Sequence, residues 1–141
     1  MPLINRDSDY AVRALAQLSR NGDVTPVSVL ARAEDVPVDF LKKIMQKLHH
    51  AGLVDSHQGP FGGYSLSRRP EDISLLEVLH SVQGPLVLNR CFAEPPQCGG
   101  AAACGLRKRL EGLQDKLEPW LAGITLAEIV GSTPEKEGAV P

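Results

Sequence analysis

All three cysteines of the 141-residue chain lie close together, at Cys91, Cys98 and Cys104. The segment between them is rich in Pro, Gly and Ala, so few bulky side chains would obstruct a bound group. Thiolates are the usual ligands of the iron in iron–sulfur clusters. Zinc sites usually contain a closely spaced C-x2–4-C pair, which this spacing lacks. The residues alone leave two interpretations open: a cluster held by three sulfurs, or free thiols with one cysteine in the core.

The composition predicts one globular cytoplasmic domain. Apolar residues make up 43% of the chain, which is ordinary for a protein with a buried core. No window of about 18 apolar residues exists, and polar residues soon follow Met1, so we expect neither a membrane span nor a secretory signal. Cysteines in such a protein stay reduced or act as ligands. No arrangement of Ser, His and acidic residues supports hydrolase chemistry, and we expect no enzyme.

The charge distribution predicts a phosphate-binding surface in the middle of the chain. The net charge is −2, yet residues 38–70 carry five basic and two acidic side chains, and both flanking regions are acidic. The local field is what a nucleic acid meets, so the average is misleading.

Hydrophobic spacing predicts three helices followed by a short β-hairpin. We expect the first helix to be capped by Asp7 or Ser8, the second by Thr25, and the third to end near His50. Residues 58–63 would form the tip of the hairpin, because they are rich in Gly and Pro. A third helix followed by a hairpin, both basic, is the order of a winged helix-turn-helix, whose helix fits the DNA major groove.

Further helices are predicted after the hairpin. Capping-box sequences begin at Ser74 and Thr125, each followed by Glu at the third position. Between them, leucines recur every three or four residues, which suits pairing with a second helix; they are Leu106, Leu110, Leu113, Leu117 and Leu121. The predicted organisation is a DNA-binding domain (1–84), a cysteine-containing cluster-binding loop (85–104), a dimerisation helix with a short C-terminal helix (105–131), and a disordered tail (132–141).

Three stretches of the chain resemble a known family. "DYAVRALAQLS", "VPVDFLKKIMQKLHHAGLVDSHQGPFGGYSLSR" and "ISLLEVLHSVQGP" are similar to the Rrf2 family of winged-helix regulators, which includes IscR and NsrR. The resemblance extends from about Leu3 to Val130. It implies a mostly α fold with a small β-wing, in which a winged helix-turn-helix domain is joined to a long dimerisation helix.

The resemblance also implies an iron–sulfur cluster. In sensor members of the family three cysteines before the long helix bind one, and Cys91, Cys98 and Cys104 occupy that place; we expect 4Fe–4S rather than 2Fe–2S. IscR-like members add a histidine three residues after the last cysteine, where this chain has Arg107. NsrR-like members use an aspartate from the partner subunit, which matches Asp9. Alternatively, Asp9 is there because the helix dipole favours an acid in the first turn.

Double-stranded DNA is the expected partner of the third helix and the wing. Ser28 could hold a phosphate at the start of the second helix. The other expected contacts lie off the apolar stripe of the third helix or in and beside the wing: Asp39, Lys42, Lys43, Gln46, Lys47, Gln58, Pro60, Phe61, Arg68 and Arg69. The alternative for the lysines is an ordinary solvated helix face.

The function predicted from these features is transcriptional regulation. We expect a homodimeric repressor that binds a near-palindromic operator, with its DNA affinity controlled by a cluster that senses nitric oxide, redox state or iron–sulfur status. Two alternatives remain: a cluster-free regulator of the same fold that uses its thiols as a redox switch, and a small iron–sulfur redox protein.

Overall fold

Six α-helices and one two-stranded antiparallel sheet form the part of the chain that the computed structural model describes, residues 2–93 and 104–132. The elements are α1 (Arg6–Asn21), α2 (Val27–Glu34), α3 (Val38–His50), β1 (Val54–His57), β2 (Gly63–Leu66), α4 (Leu75–Gln83), α5 (Gly105–Ala122) and α6 (Leu126–Ser132), with 3-10 turns at Pro70–Asp72 and Arg90–Phe92. The predicted fold class, mostly α with a small β-wing, is confirmed. Apart from Ser132, the tail predicted to be disordered lies outside the described residues.

The caps of the first two helices differ from those predicted. Asn5 caps α1, since its Oδ1 accepts a hydrogen bond from the Ser8 amide at 2.8 Å. The predictions of Asp7 and Ser8 are therefore wrong, and Ser8 is instead buried inside the helix. Thr25 is also not a cap: Pro26 takes that position without a side-chain hydrogen bond, because the backbone of Thr25 is used by the wing.

The core forms around α1. Its inward face is made of small and medium apolar side chains, so that α2, α3, α4 and α6 can all pack against it. The four wholly buried or nearly buried residues of α3 complete this core; they are Leu41, Ile44, Met45 and Leu48. A second, smaller cluster joins α4 to α5 through Leu79, Leu86 and Leu121. Within the described residues, none of the helices has the length and apolar content that a membrane crossing needs.

The wing is attached to the turn before α2. Thr25 and Tyr64 form a two-way backbone bridge, with N–O distances of 2.8 and 2.9 Å. The approach is so close that a Cβ on Gly63 would lie 2.2 Å from the Thr25 carbonyl oxygen, and the φ of Gly63 is +150°. Only glycine fits there, because both the space and the backbone conformation exclude a side chain.

A second backbone bridge attaches α5 and α6 to the winged domain. The Leu75 amide donates to the Ile124 carbonyl, and the Leu126 amide donates to the Ile73 carbonyl, each at 2.8 Å. The predicted capping boxes at Ser74 and Thr125 flank this bridge and are both confirmed.

A side-chain contact adds to this attachment. His80 Nε2 on α4 lies 2.5 Å from the Glu118 carboxylate on α5. The long helix is therefore fixed to α4 by backbone, apolar and polar contacts together.

Gly63→Ala should detach the wing from the helices. We expect the free energy of unfolding to fall by roughly 2–4 kcal/mol, because the new Cβ overlaps backbone atoms in a conformation that side chains avoid. Gly59→Ala is the matched control: its φ is also positive, at +97°, but no atom lies within 4 Å of the new Cβ. Chemical denaturation measures both, and equal losses would contradict the steric explanation.

Candidate nucleic-acid interface

The outward face of α3 carries four polar side chains. Asp39, Lys43, Gln46 and His50 recur at helical spacing and are exposed, opposite the buried stripe of the same helix. The first three were predicted from the sequence. His50 was missed, although its position four residues after Gln46 places it on the same face. Such a row can present donors and acceptors to base edges in a major groove.

The other two lysines of α3 lie beside this face. Lys42 and Lys47 are both exposed. Lys47 Nζ also donates to the Val82 carbonyl at the end of α4, at 3.3 Å. Its charge therefore lies near the junction of α3 and α4, whereas Lys43 points from the middle of the outward face.

Ser28 lies in the first turn of α2 and is exposed. No side chain caps this helix, because Pro26 holds the N-cap position. A helix N-terminus has amides without intrahelical acceptors, which suits a phosphate oxygen. The surroundings of Ser28 are thus compatible with its predicted contact.

The wing tip exposes an aromatic ring. Gln58, Pro60 and Phe61 all lie at the surface, and Phe61 is 93% exposed. A tight turn shapes the tip, with the Gly62 amide donating to the Gly59 carbonyl at 3.0 Å. An apolar ring presented in this way can enter a minor groove next to a recognition helix.

Arg68 and Arg69 are held in ion pairs at the base of the wing. Arg68 Nη1 lies 2.8 Å from the Glu77 carboxylate, and Arg69 Nη2 lies 2.7 Å from Glu71. The hydrogen bond and charge of Glu71, with Asp72 nearby, raise the pKa of Arg69 above its ordinary value. The outward face of α3 and the wing tip are therefore both exposed, while these two arginines are engaged within the protein.

The two described cysteines lie near one arginine of α5. Cys91 is buried in the 3-10 turn Arg90–Phe92, and Cys104 is the N-cap residue of α5, without a side-chain cap hydrogen bond. Arg107 donates to the Cys91 carbonyl, and its guanidinium carbon lies 5.0 Å from the centre of the Phe92 ring. Arg107, which stands where IscR-like proteins have a histidine, thus joins α5 to the turn that contains Cys91.

These donors fit an iron group in their chemistry. Cys91 and Cys104 are both free thiols, and soft sulfur ligands suit iron–sulfur clusters. Cys98 lies outside the described residues. Among the residues that the structure does describe, no group of three or more potential ligands converges.

Asp9 is available on the surface of α1. Its side chain is 53% exposed and lies 3.2 Å from Arg13, one turn later in the same helix. The neighbouring Tyr10 packs edge-on against Phe40 of α3, with ring centroids 5.6 Å apart. Asp9 therefore lies on a part of α1 that contacts α3. Its ion pair with Arg13 is also consistent with the interpretation that the helix dipole favours an acid here.

The fold and this surface define a winged helix-turn-helix protein. A family model described as "Rrf2: Iron-dependent Transcriptional regulator" matches residues 4–132. The chain belongs to the Rrf2 family, and it is a DNA-binding helix-turn-helix transcriptional regulator.

Individual relatives agree with this assignment. A putative regulator of Mycobacterium tuberculosis is 35% identical over 138 residues, covering 95% of this chain and 81% of that protein. IscR of Escherichia coli is 30% identical over 125 residues, covering 87% and 76%. Among solved structures, CymR, the global cysteine regulator of B. subtilis, has a similar fold, with a TM-score of 0.76 at 22% identity; the match covers 95% of this chain and 100% of CymR. T. potens IscR has a TM-score of 0.72 at 24% identity, covering 98% and 93%.

Lys43→Ala should weaken DNA binding and reduce its salt dependence. Loss of one phosphate contact lowers the slope of log K against log salt by about 0.9. Lys47→Ala should change the slope less, because its ammonium is shared with the Val82 carbonyl. Binding measured by fluorescence anisotropy at several salt concentrations tests both, and a wild-type slope for Lys43→Ala would rule out this face.

Proposed function

We propose that the protein is a homodimeric repressor whose DNA affinity depends on an iron–sulfur cluster held by Cys91, Cys98, Cys104 and the partner subunit's Asp9. The observation that carries the proposal is the contact from Arg107 to Cys91 beside the N-cap Cys104. This contact holds the turn that contains Cys91 near the start of α5, where Cys104 lies. The proposed ligands thereby meet the helix proposed for dimerisation.

The surface of α5 supports a dimer. Leu106, Leu113 and Trp120 are spaced seven residues apart and are 58%, 55% and 69% exposed. Leu117 and Leu121 instead pack against α4. The leucine stripe predicted from the sequence is thus divided: one side joins α5 to its own winged domain, and the other is uncovered in a single chain. A seven-residue apolar repeat suits pairing with the same helix of a second copy.

A dimer would present two α3 helices to DNA. Paired recognition helices read two half-sites related by the symmetry of the protein, so the expected operator is a near-palindrome. A regulator of this kind represses by occupying its operator.

The path from the ligands to DNA begins at Asp9. A bound cluster supplies redox chemistry and reactivity toward small molecules such as nitric oxide. A carboxylate is a harder ligand than a thiolate, so the Asp9 oxygen would be the more easily displaced donor. The adjacent Tyr10 touches Phe40 at the start of α3, and the guanidinium carbon of Arg6 lies 4.9 Å from the same ring. A shift at the start of α1 would therefore reach the recognition helix directly.

Cysteine variants test the cluster. Cys91→Ala, Cys98→Ala and Cys104→Ala should each abolish bound iron and sulfide in protein purified without oxygen, because too few thiolates remain. Iron and sulfide assays with absorption spectra measure this. If the wild-type protein is colourless and its DNA binding responds to thiol oxidants, the cluster hypothesis is wrong and the cysteines act as a thiol redox switch.

Asp9→Ala tests the fourth ligand. We expect a cluster to remain, with an altered spectrum and faster reaction with nitric oxide or oxygen, because the weakest donor is lost. Asp7→Ala is the matched control, since Asp7 is another acid in the first turn of α1. If both variants match wild type in spectrum and reactivity, Asp9 serves only the helix dipole.

Leu113→Asp combined with Leu106→Asp tests the dimer. A buried charge at each position opposes pairing, so sedimentation should show a monomer that no longer binds an operator specifically. Lys108→Asp is the control, because Lys108 is exposed on another side of the same helix. A dimer that persists in the double variant would place the interface elsewhere.

A further inference from the structure

Arg68 turns away from the wing and reaches α4. It lies two residues after the end of β2, and its Nη1 donates both to Glu77 Oε1 at 2.8 Å and to the Asp72 carbonyl at 3.3 Å. The guanidinium, a candidate phosphate contact by sequence, already has two acceptors within the protein. Its exposed fraction is 36% and that of Glu77 is 42%, so the pair is half-buried rather than free in solvent.

Glu77 binds a second group with its other oxygen. Oε2 accepts from the Ser74 amide at 3.0 Å and the Ser74 hydroxyl at 3.3 Å, which completes the cap of α4. Partial burial by itself raises the pKa of Glu77, but the hydrogen bonds from Ser74 and Arg68 outweigh it, so the pKa lies below its ordinary value. The carboxylate therefore stays ionised at neutral pH, and Arg68 keeps an anionic partner.

The cap that Glu77 completes is also the place where α5 and α6 are attached to the winged domain. Ser74 pairs with Thr125 in the backbone bridge that joins α4 to the segment between α5 and α6. One carboxylate thus connects the end of the wing, the start of α4 and the attachment point of the long helix.

The neighbouring pair of Arg69 and Glu71 differs in this respect. Its two members are two residues apart in one segment, and their side chains are 73% and 52% exposed. That pair joins no separate elements. The Arg69–Glu71 pair therefore places the same two charges near those of Arg68 and Glu77, but it does not connect the wing to α4.

We propose that Arg68 and Glu77 are positioning residues, which hold the wing in the orientation that lets its tip reach DNA. Arg68 acts through Glu77 and makes no phosphate contact of its own. This inference rests on the proposed DNA-binding surface of α3 and the wing.

The Glu77→Gln variant distinguishes a role in positioning the wing from a direct effect of the carboxylate charge on DNA. Glutamine can still complete the capping box but offers Arg68 no negative partner. Removing a carboxylate near DNA would by charge alone strengthen binding. Positioning predicts the opposite, a loss of about threefold to fivefold, which is the range for a modest ion pair.

Arg68→Gln and the double variant complete the cycle. We expect Arg68→Gln to lose a similar factor with an unchanged salt slope, and the double variant to lose no more than either single one, because both remove the same interaction. Arg68→Lys should recover part of the affinity. Binding is measured on a duplex that the wild-type protein selects from a random-sequence library, with thermal unfolding to verify that each variant is folded.

Glu71→Gln is the control, and it should not weaken binding. A slope reduced by about one contact in Arg68→Gln, or tighter binding by Glu77→Gln, would overturn the positioning role. If Glu77→Gln fails to fold, the salt slope and lysine rescue at Arg68 still decide. A wild-type protein that selects no sequence from the library would instead refute the proposed operator recognition, which keeps the two failures distinct.

Discussion

The small-residue face of α1 is the constraint on which the fold depends. Ala11, Ala14 and Leu15 are wholly buried, and alanines have no atoms beyond Cβ to keep neighbouring helices apart. Helices α3, α4 and α6 can therefore share one central helix. A larger side chain at either alanine would displace several elements at once, because interiors are packed without spare volume. Helix α3 has its orientation because the small side chains of α1 let it pack closely against α1.

Two attachments give this domain its functional geometry. The wing is fixed to the turn before α2 by backbone bonds at Thr25, and α5 is fixed to α4 by the bridge at Ser74 and the apolar contact of Leu121. Both attachments depend mainly on backbone atoms and buried apolar side chains, and the polar pairs His80–Glu118 and Arg68–Glu77 add to them. The proposed ligands lie at the free ends of this framework, Cys104 at the start of α5 and Asp9 at the start of α1.

The sequence predicted the parts of the fold that depend on local signals. The stripe of α3 and the capping boxes at Ser74 and Thr125 follow from short-range spacing, and the structure contains them. The cap at Thr25 was wrong, because a contact with Tyr64, far along the chain, uses its backbone instead. The pairing of Arg68 with Glu77 was missed for the same reason: side-chain partners on different elements leave no periodic signal.

The close approach at Gly63 separates two roles within one hairpin. The first residue of β2, next to the tip, accepts no side chain, since the carbonyl of Thr25 occupies the space. Four positions away along the chain, a Cβ on Gly59 would meet no atom within 4 Å, and Phe61 projects into solvent. The tip is itself constrained at Gly62, because a Cβ there would lie 2.3 Å from the His57 carbonyl oxygen. In such a scaffold, new operator preferences can arise by substitution of exposed tip side chains such as Phe61, while the glycines keep the hairpin in place.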